Sequence, residues 1–85
     1  MKFHPERRNM TLTVGQSVRT AREFQELTQA ELAAKCGIAQ ATLSSIENDR
    51  VTLGVDRAKR LARALKVHPS VLLFPDWDER DSAAE

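Results

Sequence analysis

Few side chains in this 85-residue chain have chemical reach, and most of them stand alone. Cys36 is the single cysteine, so it has no second thiol with which to form a disulfide or a redox pair. His4 and His68 are far apart and neither lies in a ligand-rich stretch, which leaves no metal site to build. Ser44 and Ser45 have no histidine and carboxylate set out as a triad, and no glycine-rich phosphate loop occurs. These readings argue against an enzyme, and no cofactor is expected. What remains is hydrogen-bonding chemistry. Gln29 and Gln40 carry amides, Thr42, Ser44 and Ser45 carry hydroxyls, and Asn48 and Arg50 follow them. Such groups bond to phosphate oxygens and to the edges of bases.

Charge is compatible with that chemistry. The net charge is +1, but residues 1–73 carry +5, and residues 74–85 set five acidic side chains against one basic. An acidic tail thus masks a basic body. A basic body suits a polyanion or is an ordinary solvated helix face, and charge alone does not choose. The length implies one domain with a modest core. The aromatics are Phe3, Phe24, Phe74 and Trp77, so that core must be aliphatic. There is no signal-peptide pattern and no apolar run of membrane-spanning length. A soluble, cytoplasmic protein is expected, and its free thiol fits a reducing compartment.

Five short helices must position these groups. Residues 1–12, basic and holding Pro5, read as an arm, 13–75 as the domain and 76–85 as the acidic tail. Thr13-Val14-Gly15-Gln16 has the form of a capping box, in which each end satisfies the other's free amide. It predicts a first helix to about Glu26, with Val14, Val18, Ala21 and Gln25 on one face and Phe24 off it. Thr28 to Glu31 is a second capping box and opens a helix to Cys36, with Leu32, Ala33 and Cys36 inward. Gly37 ends it. A third helix runs from Gln40 to about Asn48 with Leu43 and Ile46 buried, behind Ala39, a poor cap. Val55, Ala58, Leu61, Ala62 and Leu65 mark the inner face of a fourth helix, opposite Arg57, Lys59, Arg60, Arg63 and Lys66. His68-Pro69 starts a short fifth, followed by Val71, Leu72 and Leu73. No strand and no repeat is evident, so the fold class is all-α.

The twenty residues from Gln29 to Asn48 meet several constraints at once. Leu32, Cys36, Ile38, Leu43 and Ile46 are apolar, Ala33 is small where two steeply crossed helices must touch, and Gly37 sits at the turn. This is the helix-turn-helix pattern. The apolar positions pin the second of its helices to the domain and leave the outer face free for the major groove. Cys36 falls on a buried position of that pattern, where a thiol behaves as a small hydrophobe.

The stretch "LTQAELAAKCGIAQATLSSIENDR" resembles the Xre family of DNA-binding proteins, which includes phage lambda-type repressors and Cro. The first, fourth and fifth helices extend the likeness across Val14 to about Leu73. "GIAQATLSSIEN" is also similar to the HigA- and HipB-type antitoxins, Xre-like proteins that bind a toxin and repress their own operon. The resemblance implies a compact five-helix, lambda-repressor-like domain. It also implies roles for single residues. Gln29, with the free N–H groups of its helix, would hold a phosphate oxygen. Gln40 would pair with N6 and N7 of adenine. Ala41 and the Thr42 methyl would meet thymine methyls, and Ser44 or Ser45 would donate to a base or a phosphate. The long amides that some members carry at the positions of Ala41 and Ser45 are missing, so direct base readout there is thin. Arg22 and Glu47 match a structural ion pair, with Glu47 directly following buried Ile46. Asn48, Arg50 and, more weakly, Arg19 are expected as phosphate clamps.

One such domain covers one half-site, so a homodimer on a palindrome is expected, with half-sites about 34 Å apart. Leu72, Leu73, Phe74 and Trp77 are the apolar candidates for its interface, beside Val71. The leading function is a dimeric transcriptional repressor of its own or another promoter. The alternative is an antitoxin whose acidic tail docks on a basic toxin, with DNA binding as autoregulation.

Overall fold

The computed structural model describes residues 12–75. The arm before Leu12 and the tail after Pro75, with Trp77, lie outside the described residues. Five helices follow in order: α1 Val14–Phe24, α2 Gln29–Cys36, α3 Gln40–Glu47, α4 Val55–Leu65 and α5 Pro69–Leu73. No strand occurs among the described residues.

Both capping boxes form. The Thr13 hydroxyl accepts from the Gln16 amide at 3.0 Å, and Gln16 Oε1 accepts from the Thr13 amide at 2.9 Å. Thr28 and Glu31 repeat this at 3.0 and 2.8 Å. Those bonds to Thr28 hold the exposed Glu31 carboxyl below its ordinary pKa. Ala39 supplies no side-chain cap to α3. The His68 Nδ1 accepts from the Ser70 amide at 3.1 Å and so caps α5, with Pro69 in its first turn.

Four helices end in the same closure, in which an amide reaches back five residues. Leu27 donates to Arg22, Ile38 to Ala33, Arg50 to Ser45 and Val67 to Ala62, at 2.9–3.1 Å. Each closure requires a left-handed residue just before the donor. Only Gly37, at φ +71°, is a glycine; Glu26, Asp49 and Lys66 hold the other three positions at φ +58° to +60°. The first helix therefore stops at Phe24, two residues short of its expected end.

The core is aliphatic and continuous. Val18, Leu32, Leu43, Ala58, Leu61, Leu65 and Leu72 are fully buried, and Ala33, Cys36, Ile46, Leu53 and Ala62 nearly so. The α1 helix packs on α3 and α5, α2 on α3 and α4, and α4 on α5. Phe24 lies outside this core at 85% exposure. Leu72, expected at a dimer contact, has no exposed surface at all. It anchors α5 into the chain's own core, where the Ser17 hydroxyl also donates to the Val71 carbonyl at 2.9 Å. That takes Leu72 out of any surface.

Candidate nucleic-acid interface

The α3 helix is held from within and at its end. Leu43 and Ile46 face the core. The neighbouring side chain, Glu47, is also buried, although it carries a charge. Burial of an ion is tolerated only where partners replace its water. Arg22 on α1 supplies most of them. Its Nε donates to Glu47 Oε2 at 2.6 Å and its Nη2 to Oε1 at 3.0 Å, while its Nη1 donates to the Leu27 carbonyl at 2.7 Å. Gln29 Nε2 adds a bond to Glu47 Oε1 at 3.0 Å, and Arg19 Nε stands 3.6 Å from the same oxygen. No buried side-chain polar atom among the described residues lacks a partner. The network joins α1, the α1–α2 loop, α2 and the end of α3.

Burial alone would push the Glu47 carboxyl up. The bonds from Arg22 and Gln29, with the charges of Arg22 and Arg19, outweigh that and leave it below its ordinary pKa. The hydrogen bond from Arg22 to Glu47 likewise raises the Arg22 pKa against its own desolvation.

The other side of α3 stands free. Gln40 and Ala41 are exposed, and Thr42, Ser44 and Ser45 are half-buried. Asn48 and Arg50 are exposed just beyond its end, and Asn48 Nδ2 donates to the Ser44 carbonyl at 2.8 Å. Gln29 is half-buried at the start of α2. Its bond to Glu47 uses one amide hydrogen and leaves the second, since the group carries two. Arg19 keeps 46% of its side chain exposed. Gln29, Asn48 and Arg50 thus flank one end of α3, where Glu47 is anchored, and Gln40 begins the other.

Sequence reasoning missed the joint that fixes α1 against this end of α3. Asp49 Oδ1 accepts from the Gly15 amide at 2.9 Å, and Oδ2 accepts from the Thr13 hydroxyl at 2.7 Å. Asp49 thereby caps a helix more than thirty residues earlier. A Cβ on Gly15 would lie 2.7 Å from the Glu47 carbonyl oxygen and closer still to that of Ile46. A glycine inside an amphipathic helix is a signal of such close backbone approach. Leu53, in the α3–α4 loop, was missed as a core residue and is 6% exposed.

Cys36 is buried, its Sγ lies 3.7 Å from the Arg60 carbonyl oxygen, and burial pushes its thiol up with only a partial offset from the Arg60 charge. No group of three metal-ligating side chains occurs among the described residues. His4 lies outside them. No helix of the described residues is long and apolar enough to cross a membrane.

Two crossed helices joined by a glycine turn, with the second presenting a small polar face flanked by amides and cations, define a nucleic-acid-reading module. The helix-turn-helix family matches residues 18–72, and the chain belongs to that family. It is a family of DNA-binding transcriptional regulators, not of enzymes. An immunity repressor protein of Bacillus phage phi105 is 30% identical over 74 residues, covering 87% of this chain and 51% of the relative. The chain thus spans about half the length of that curated relative. Among solved structures, SinR, the master regulator for biofilm formation, in complex with DNA, superposes with a TM-score of 0.69 at 29% identity. It covers 72% of this chain and 98% of that one. The P22 c2 repressor bound to a synthetic operator gives a TM-score of 0.72 at 26% identity, over 78% of this chain and all (100%) of that one.

Proposed function

We propose that the chain is a transcriptional repressor that binds a palindromic operator as a homodimer, with α3 of each protomer in the major groove of double-stranded DNA. One observation carries this reading. The α3 helix is immobilised by Leu43, Ile46 and Glu47, while Gln40, Ala41, Thr42, Ser44 and Ser45 keep their outer surface. A helix fixed on one side and small on the other can approach base edges closely. Gln40 reads adenine, and Ala41 and Thr42 contact thymine methyls. Ser44 and Ser45 bond to bases or phosphates. Gln29, Asn48, Arg50 and Arg19 hold the backbone on either side. The relatives' names support the reading, since two are repressors and two of the proteins are seen with DNA or an operator.

The dimer surface in this reading is the exposed end of α5. Phe74 is 56% exposed and Val71 48% exposed, and Leu73 is half-buried. A cleft of about 420 Å³ reaches Leu73, lined on its apolar side by Val14, Val51 and Leu53 and on its polar side by Asp49 and Arg50.

Footprinting on the DNA upstream of the gene tests the proposal. A protected palindrome with half-sites one duplex turn apart is expected. Arg19 and Arg50 neutralise four phosphates per dimer, and a slope near −0.9 per phosphate gives roughly a hundredfold loss of affinity between 50 and 200 mM salt. Absence of any protected site, with equal affinity for unrelated DNA, would refute it.

A further inference from the structure

We infer that the outer face of α4 is the docking site of the chain's own acidic segment, residues 76–85. Arg57, Lys59, Arg60 and Arg63 are exposed on that helix, and Lys66 is exposed at its C-cap. None has an ion-pair partner among the described residues, where both ion pairs involve Glu47. None of these residues belongs to the proposed DNA interface, which lies on α3 and its ends with Gln29 and Arg19, and α4 packs chiefly on α2, α5 and α1. Four cations within an eleven-residue helix and a fifth at its C-cap, against the single Asp56, repel one another, so an acidic partner is favoured there.

The chain itself carries that partner. Asp76, Asp78, Glu79, Asp81 and Glu85 stand against the single Arg80. The segment leaves the fold just after α5, and α5 is packed directly against α4. Ten extended residues span roughly 33 Å. The α4 helix is only about 16 Å long. The tether is therefore long enough to lie along the whole face. A short tether also holds the local concentration of carboxylates in the millimolar range, which makes weak exposed pairs add up. An external acidic protein must compete with that. With the segment docked, the +5 of residues 1–73 is largely cancelled, and the attraction of the body for any polyanion is reduced.

The test uses the full chain and amide NMR spectra. One variant neutralises the tail: Asp76→Asn, Asp78→Asn, Glu79→Gln and Asp81→Asn together. The expected result is that the Arg60 and Arg63 amides move, and that wild type in 0.5 M salt shifts to the same positions. A second variant, Arg60→Gln with Arg63→Gln, is read at the indole N–H of Trp77, the only tryptophan, which is expected to move as well. Unmoved α4 amides and an unmoved indole overturn the inference. So does movement confined to Gln29, Gln40 and Arg50, which would put the segment on the opposite interface. Shifts that depend on protein concentration would place it on a second copy and overturn it too.

Discussion

Arg22 grips Glu47 side-on, with two guanidinium nitrogens on two carboxylate oxygens at 2.6 and 3.0 Å, and Glu47 is the last residue of α3. The pair connects the first helix to the end of α3 through a buried charge that Gln29 and Arg19 also approach. It helps to hold α3 against α1 and α2.

Loss of either partner strands the other. Glu47→Ala leaves a half-buried guanidinium facing the core, and Arg22→Met leaves a buried carboxylate. Each is expected to cost roughly 3–5 kcal/mol, a large part of the stability of a domain this size. The double variant Arg22→Met with Glu47→Ala should cost clearly less than the two single losses added, because no unpaired charge remains. Urea unfolding of the four proteins checks this. An unchanged melting temperature in Glu47→Ala would remove the pair from the account.

Acid should loosen the fold through the same group. The Glu47 carboxyl sits below its ordinary pKa in the folded state, so its stabilisation is complete above the unfolded value of about 4.3. It is lost as pH falls from there through the lower folded value. Glu47→Gln has nothing to protonate. The stability gap between wild type and Glu47→Gln is therefore expected to be widest at neutral pH and to narrow below about pH 4. A gap independent of pH, followed by chemical denaturation, would contradict the assignment.

Gly15→Ala tests the close crossing of α1 and α3. The new methyl meets the backbone oxygens of Ile46 and Glu47, and backbone cannot rotate away as a side chain can. A loss of roughly 1–3 kcal/mol is expected despite alanine's better helix propensity. At about 4–8 °C per kcal/mol for a domain of this size, the melting temperature should fall measurably.

Asp49→Ala removes the acceptor for the Gly15 amide and the Thr13 hydroxyl. The cost of a lost cap is roughly 0.5–2 kcal/mol. Asp49→Asn keeps one acceptor oxygen and should lose less, which thermal melts of the two variants resolve.

These residues also mark where the sequence is transparent. The two capping boxes, the glycine after α2 and the spacing of α4 each express a local rule, and the helix bounds follow from them. The exposed side of α3 is legible for the same reason, because Leu43 and Ile46 fix which side is buried. Asp49 falls in Asn48-Asp49-Arg50, a turn-forming stretch, whereas Glu26 and Lys66 are opaque because a left-handed closure at such residues leaves no compositional trace. The Asp49–Gly15 joint is opaque because its partners are 34 positions apart and meet only through the tertiary crossing. Leu72 misled because an apolar residue near a chain's end fits a core or an interface equally, and only packing separates the two.

Whether α3 reads bases through Gln40 is decided by the variant Gln40→Ala. Gln40 is exposed and its side chain makes no hydrogen bond to the described residues, so the variant should fold and melt as wild type does. Titrated against the footprinted operator and its single-base variants, it should lose preference at one position per half-site, at a cost of roughly 1–3 kcal/mol. Unchanged affinity and unchanged base preference would show that α3 is not the reading helix.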